Sequence, residues 1–368
     1  MRPFQIDKPL SFYYVIWCMK KTLTFCLMLL TAISCTNKKN IPDVSGIKID
    51  TKTYRFEQDF FAIDTNHIAE NLQQLQQKYH GFTLDYINNI LGLDVSGVMN
   101  GNSEQVNAVK TFLKDYRPLK DSSDKVFGDF NKETKEIKES LQFVKYYFPN
   151  YQIPANIITF IGPIDAFFQT SFGTEGDIIT KDGLGIGLQL HLGSNFSFYK
   201  SQQGMEQYPE YISKTFTPEY IVVNCIRNII DEMYPDKSIG RPLIEQMVEK
   251  GKRFYLLDKL LPTTPDYLKM SYTETQMKNT YSNEAVIWNF FLSNELLNNT
   301  EQNIIKNYIG ESPKTQELGE DAPGNIGSFT GWQIVKKYMS KNPEITLDKL
   351  MNTDAREIYT VSKYKPRS

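Results

Sequence analysis

Histidine is scarce in this sequence: three residues, His67, His80 and His191, in a chain of 368. The two-histidine HExxH zinc helix is absent, which excludes that peptidase chemistry. A GxSxG nucleophile elbow and a Walker phosphate loop are missing as well. Gly183-Leu184-Gly185-Ile186-Gly187 has dinucleotide-loop spacing, but it lies inside a strand pattern with no helix behind it, which removes that reading. Charge of one sign is lacking too, because 41 Lys and Arg face 43 Asp and Glu. The resulting net charge of −2 offers no basic surface for nucleic acid and no acidic tail. Cysteine is limited to Cys18, Cys26, Cys35 and Cys225, with no CxxC pair for a structural zinc.

What is present reads as globular, with 40% hydrophobic and 23% charged residues. After the N-terminal segment about 330 residues remain, enough to bury roughly three quarters of the unfolded surface. The 22 Tyr and 23 Phe fit a core plus a Tyr-rich wet surface, with a ring-lined sugar or peptide groove as the alternative.

The N-terminus carries the sharpest signal. Met19, Lys20 and Lys21 form a basic start, and Thr22 to Ser34 is an apolar run of signal-peptide length, too short to span a bilayer. Ala32, Ile33 and Ser34 then lead into Cys35 in the manner of a lipobox, where cleavage precedes a lipidated cysteine. Residues 1–18 fit no signal design and read as an over-long start, residues 19–34 as the lipoprotein signal, and residues 35–45 as a lipidated tether. Cleavage removes Cys18 and Cys26 and acylation occupies Cys35, so Cys225 remains without a partner for a disulfide. Ile221, Val222, Ile226 and Ile229 around it predict a buried, inert thiol.

Residues 46–368 read as a single α+β domain, mostly helical with a small central sheet. The alternation from Ile47 to Phe56 predicts a first strand. Helices are expected over 65–79, 83–91, 103–116 and 131–147, the last ended by Pro149. Residues 157–161 predict a buried strand, and 178–193 a hairpin turning at Lys181-Asp182-Gly183, which places His191 in a strand. Further helices are expected at 218–234, 241–261, 273–297, 301–308, 328–340 and 346–352. Carboxylate pairs are the remaining acid/base option. Asp231 and Glu232 point to different helix faces, while Glu245 and Glu249 share one that Lys250 and Lys252 mark as solvated.

Several strings hold together in order: residues 143–149 (FVKYYFP), 184–193 (LGIGLQLHLG), 250–262 (KGKRFYLLDKLLP), 283–288 (NEAVIW), 323–335 (PGNIGSFTGWQIV) and 362–366 (SKYKP). With the lipobox they resemble the gliding-motility lipoprotein family GldB of Bacteroidetes, from Cys35 to the end of the chain. The resemblance implies a cell-envelope lipoprotein needed for gliding in gliding species. That family is similar in turn to predicted zinc metallopeptidases, which implies a zincin-like architecture. In that register Asn224 and Asn228 stand where the two histidines would be, Cys225 replaces the glutamate base, and Glu245 falls near the third ligand. Asn325 stands where the family usually shows Arg, in a glycine-rich loop-to-helix junction of Gly324, Gly327 and Gly331 beside Trp332.

Two carboxamides are poor zinc ligands beside imidazole, and a thiol cannot take the glutamate's part with metal-bound water. The expectation is therefore a pseudo-enzyme: a non-catalytic scaffold or partner-binding protein with no catalytic residue, metal or cofactor. Its expected partners are the lipid membrane, through acylated Cys35, and envelope or motility proteins. Its expected place is the outer membrane facing the periplasm. The alternatives are an envelope hydrolase using carboxylates or an unrecognised metal site, and a Tyr-rich sugar binder.

Overall fold

The computed structural model describes residues 41–319 and 322–366. The expected signal, the lipobox and Cys35 lie outside them. Six strands are β1 (Lys52–Arg55), β2 (Asn156–Phe160), β3 (Phe168–Thr170), β4 (Gly173–Glu175), β5 (Ile178–Thr180) and β6 (Gly183–Gly187). Four of them form a mixed sheet in the order β1-β2-β6-β5, and β3 and β4 form a separate hairpin. β1 and β6 both run parallel to β2, with Tyr54 opposite Ile158 and Thr159 opposite Ile186. β5 returns antiparallel to β6 with Thr180 opposite Gly183, the turn that the sequence predicts. Ile157, Ile158 and Phe160 are buried, as expected of a strand covered on both faces.

The hairpin differs from expectation at its far end. β6 stops at Gly187, residues 188–190 make one 3-10 turn, and His191 caps that turn instead of lying in a strand. The cause is local. Gly187 N donates to Asp177 Oδ1 (3.0 Å), and a Cβ at Gly187 would sit 2.3 Å from the Gly176 carbonyl oxygen. The first strand is also shorter than the alternation suggests, since only residues 52–55 find a ladder partner.

The helices that position the site are α1 (Ile68–Tyr79), α2 (Ser103–Asp115), α3 (Arg117–Phe127), α4 (Asn131–Tyr147), α5 (Tyr220–Met233), α6 (Leu243–Leu260), α7 (Glu274–Ser282), α8 (Glu284–Ser293), α9 (Ile326–Lys341) and α10 (Ala355–Ser362). In α1 the i, i+4, i+7 set Ile68, Leu72 and Leu75 is buried, as is Ile137, Leu141 and Val144 in α4. The expected helix over 273–297 is two helices broken at Asn283, whose side-chain amide bonds back to the Asn279 carbonyl (2.9 Å). A helix-interior Asn competes with the backbone in this way. α3 and α10 lie where the sequence reading expected no helix, although Ala355 and Ile358 of α10 are buried at helical spacing. No helix of the described residues is long and apolar enough to cross a membrane.

α6 and α9 lie in contact through their glycines. An added Cβ at Gly331 would fall 1.6 Å from Met247 O, and one at Gly251 would fall 2.2 Å from the Gly331 carbonyl. Trp332 is buried beside this crossing and donates its indole N–H to Asp258 Oδ2 (2.9 Å). Asn325 caps α9 in the left-handed region (φ 59°), a conformation that Asn tolerates, and accepts from Gly310 N (3.0 Å). The junction therefore does structural work, as its glycines imply. Gly331→Ala is expected to destabilise the protein by about 3 kcal/mol, because two backbones must move apart. Gly46→Ala, with nothing within 4 Å, is expected to change stability by less than about 0.5 kcal/mol. Chemical denaturation of both variants checks the contrast, and equal midpoints would contradict it.

Candidate functional site

α5 is apolar nearly all round, which buries it: Ile221, Val223, Cys225, Ile226, Ile229 and Ile230 are all inside. Four polar residues nevertheless recur at i, i+3, i+4 and i+7, namely Asn224, Arg227, Asn228 and Asp231. They lie on one face of the helix and must find partners within the protein. Their main partners are Glu175, at the end of β4, and Asp177, in the turn that leads to β5, both buried.

Asp177 is the centre of this arrangement. Its Oδ2 accepts from the Asn224 amide (3.0 Å) and lies 2.9 Å from His191 Nε2, while Oδ1 accepts from Gly187 N (3.0 Å). His191 Nδ1 faces the Thr217 carbonyl at 3.2 Å. One turn further along α5, Asn228 donates to Glu175 Oε2 (3.2 Å) and Arg227 Nη1 to Glu175 Oε1 (3.1 Å). Arg227 Nη2 also reaches the Lys269 carbonyl (2.9 Å) and Ser271 Oγ (3.0 Å), and its guanidinium lies over the Phe172 ring. Asp231 accepts from Ser171 N (2.6 Å) and from its hydroxyl. Glu232, on another face, accepts from the Tyr151 hydroxyl.

Burial pushes the Glu175 carboxyl up to about 8, and Arg227 only partly offsets this. Burial also raises the Cys225 thiol well above its usual value, with Asp177 and Glu175 adding to the effect. The thiol is thus held protonated, in line with the inert cysteine that the sequence predicts.

The structure brings Asn224, Cys225 and Asn228 together on α5. Glu245 stands at the start of α6 and accepts from Arg356 Nε (3.1 Å), away from these hydrogen bonds. Glu249 takes Lys252 (2.8 Å), and the face they share is not solvated: Lys252 is 1% exposed and donates to the Thr353 carbonyl (2.6 Å). Lys250 pairs with Asp236 (2.8 Å). Charged residues at helix spacing here mark an internal seam that α10 and the chain before it cover. His67 pairs with Asp64 on the surface, which raises its pKa, and His80 is exposed.

Glu175 and Asp177 are the functional candidates that the sequence reading missed. Their signal was an acid on either side of Gly176, next to an apolar strand. Among the described residues no three His, Cys, Asp or Glu side chains are grouped to hold a metal ion. The carboxylate oxygens instead face amide, guanidinium and imidazole nitrogens.

The sequence family described as gliding motility protein GldB matches residues 37–366. No curated protein matches the chain, and no solved structure does.

The raised Glu175 pKa carries a sign. Its protonated form is favoured by folding, so its contribution is present below the unfolded value of 4.5 and is lost as pH rises toward about 8. Glu175→Gln removes that dependence. The variant is expected to gain on the parent protein between about pH 5 and pH 8, by at most about 1.4 kcal/mol per pH unit. Paired urea titrations across that range check it, and a pH-independent difference would contradict it.

Proposed function

This chain belongs to the GldB family of gliding motility proteins, and we propose that it serves there as a lipid-anchored, non-catalytic scaffold or partner-binding protein of the cell envelope. The observation that carries the reading is the state of α5. In the register of the similar zinc metallopeptidases, the two imidazole positions hold Asn224 and Asn228, and both amides are spent on buried carboxylates. A carboxamide that donates to a carboxylate turns its nitrogen, a non-ligand, toward the site. Cys225, at the position of the glutamate base, is a buried thiol that its surroundings hold protonated. The scaffold is the degenerate form of a metallopeptidase-like fold, and fold alone carries no activity.

The anchor in this proposal is Cys35, whose thiol carries a diacylglycerol before the signal is cut off, and it holds the domain at the outer membrane facing the periplasm. No cofactor enters the account, and the partners are envelope or motility proteins.

The test is to isolate the full chain from the envelope with detergent and read acylation and zinc together. The expected result is a fatty-acyl label that Cys35→Ser abolishes, zinc far below one per chain, and thermal stability unchanged by chelators. Stoichiometric zinc, or chelator-sensitive peptide cleavage, would overturn the non-catalytic reading. Normal membrane retention of an unlabelled Cys35→Ser protein would overturn the anchor.

A further inference from the structure

Arg227 borders a second feature that the α5 hydrogen bonds do not use. A recess of about 40 Å³ opens beside it, lined among others by Lys214, Glu311, Ser312, Phe172, Phe254 and Tyr272. The volume is that of a few water molecules or of one small polar group. The recess is lined by one ammonium, Lys214, and one carboxyl, Glu311, the latter taken by Thr174 N (3.0 Å) and Thr174 Oγ1 (2.7 Å). Lys214 is half-buried, and its hydrogen bond is a long one to Gln276 Oε1 (3.4 Å). No carboxylate of the described residues forms an ion pair with it. Glu210, the acid nearest in its field, pairs with Lys200 (3.5 Å). Burial accordingly lowers the Lys214 pKa.

Two more polar atoms at the same place are buried without a hydrogen-bond partner: Ser312 Oγ and Arg227 Nε, the latter in a side chain only 5% exposed. Unpaired buried polar atoms are rare, and three under-served groups around one recess call for a ligand. An unpaired ammonium and a hydroxyl together suit a single negative charge with two oxygens. Phosphate fits less well, because Glu311 on the wall penalises a second charge, even with its own pKa raised by burial. Phe172, Phe254 and Tyr272 on the wall are themselves buried, so the recess has room for the anionic group and the remainder of the ligand lies outside it.

We infer that this recess binds the carboxylate of a ligand, either the C-terminus of a peptide or a free carboxylic acid, with Lys214 as its counter-ion and Ser312 as a hydrogen-bond donor. The inference rests on reading the protein as a binder, and it is independent of whether α5 ever held a metal.

Isothermal titration of the full chain in detergent tests it with N-acetyl-phenylalanine and acetylated alanyl-alanyl-phenylalanine, each as the free acid and as the C-terminal amide. The acids are expected to bind saturably and the amides about tenfold more weakly or less, as loss of a charge-assisted bond implies. Lys214→Met is expected to abolish the difference between acid and amide, and Lys214→Arg to retain it. Ser312→Ala, which removes a hydroxyl and no charge, is the second variant and is expected to weaken acid binding about threefold. Tighter binding of the longer acid identifies a peptide C-terminus, and equal binding identifies a free carboxylic acid. Equal affinity for acids and amides, or no saturable binding of any of the four at millimolar concentration, would overturn the inference. Such a failure would leave zinc content and acylation untouched, so it stays distinguishable from a failure of the functional reading.

Discussion

Asp177 is a carboxylate with 2% of its surface exposed, and its place in the fold depends on the nitrogens around it. A buried charge without partners costs several kcal/mol, so the elements that supply those partners are held in fixed relation. Asn224 fixes α5, Gly187 fixes the end of β6, and His191 fixes the turn that follows. Glu175, two residues earlier, repeats the arrangement with Asn228 and Arg227. An apolar helix, a hairpin and an irregular segment are thereby joined at one point. The same bonds occupy the Asn224 and Asn228 amides with the carboxyl groups of Asp177 and Glu175.

The C-terminal helices brace this point from the other side. Arg253 on α6 donates to the Tyr234 carbonyl (2.6 Å) at the end of α5 and lies 3.6 Å from Asp231. α6 is held in turn by the glycine contact with α9 and by buried Lys252, which reaches across to the Thr353 carbonyl before α10. Packing and polar satisfaction thus meet along α6. The i, i+4 charges at its start serve the interior and do not face water.

How much of this was legible in the sequence follows from which forces act locally. α4 could be read at residues 131–147 because Ile137, Leu141 and Val144 repeat at helical spacing and Pro149 stops it. The β5–β6 turn could be read because Lys181-Asp182 is a two-residue loop closed by Gly183, whose positive φ (147°) is local chemistry. Asn283 broke a continuous apolar pattern through a side-chain bond that spacing does not register. His191 left the strand because Gly187 packs against Gly176, a contact between distant backbones. Lys250 and Lys252 looked solvated because charge is usually on the surface, and only the tertiary partners Asp236 and Thr353 reverse that. Asn224, Cys225 and Asn228 were found through family resemblance. Glu175 and Asp177, which give those residues their role, carry no motif and become visible only where the chain folds against α5.

The central claim is that Asn224 and Asp177 form one unit in the protein interior. A double-mutant cycle on Asn224→Ala and Asp177→Ala, read by urea unfolding, tests it most directly. A charge-assisted bond between buried partners predicts a coupling energy of about 1–2 kcal/mol, with the double variant less damaged than the sum of the singles. Additivity within about 0.3 kcal/mol would show that the two side chains act separately, and would contradict the account.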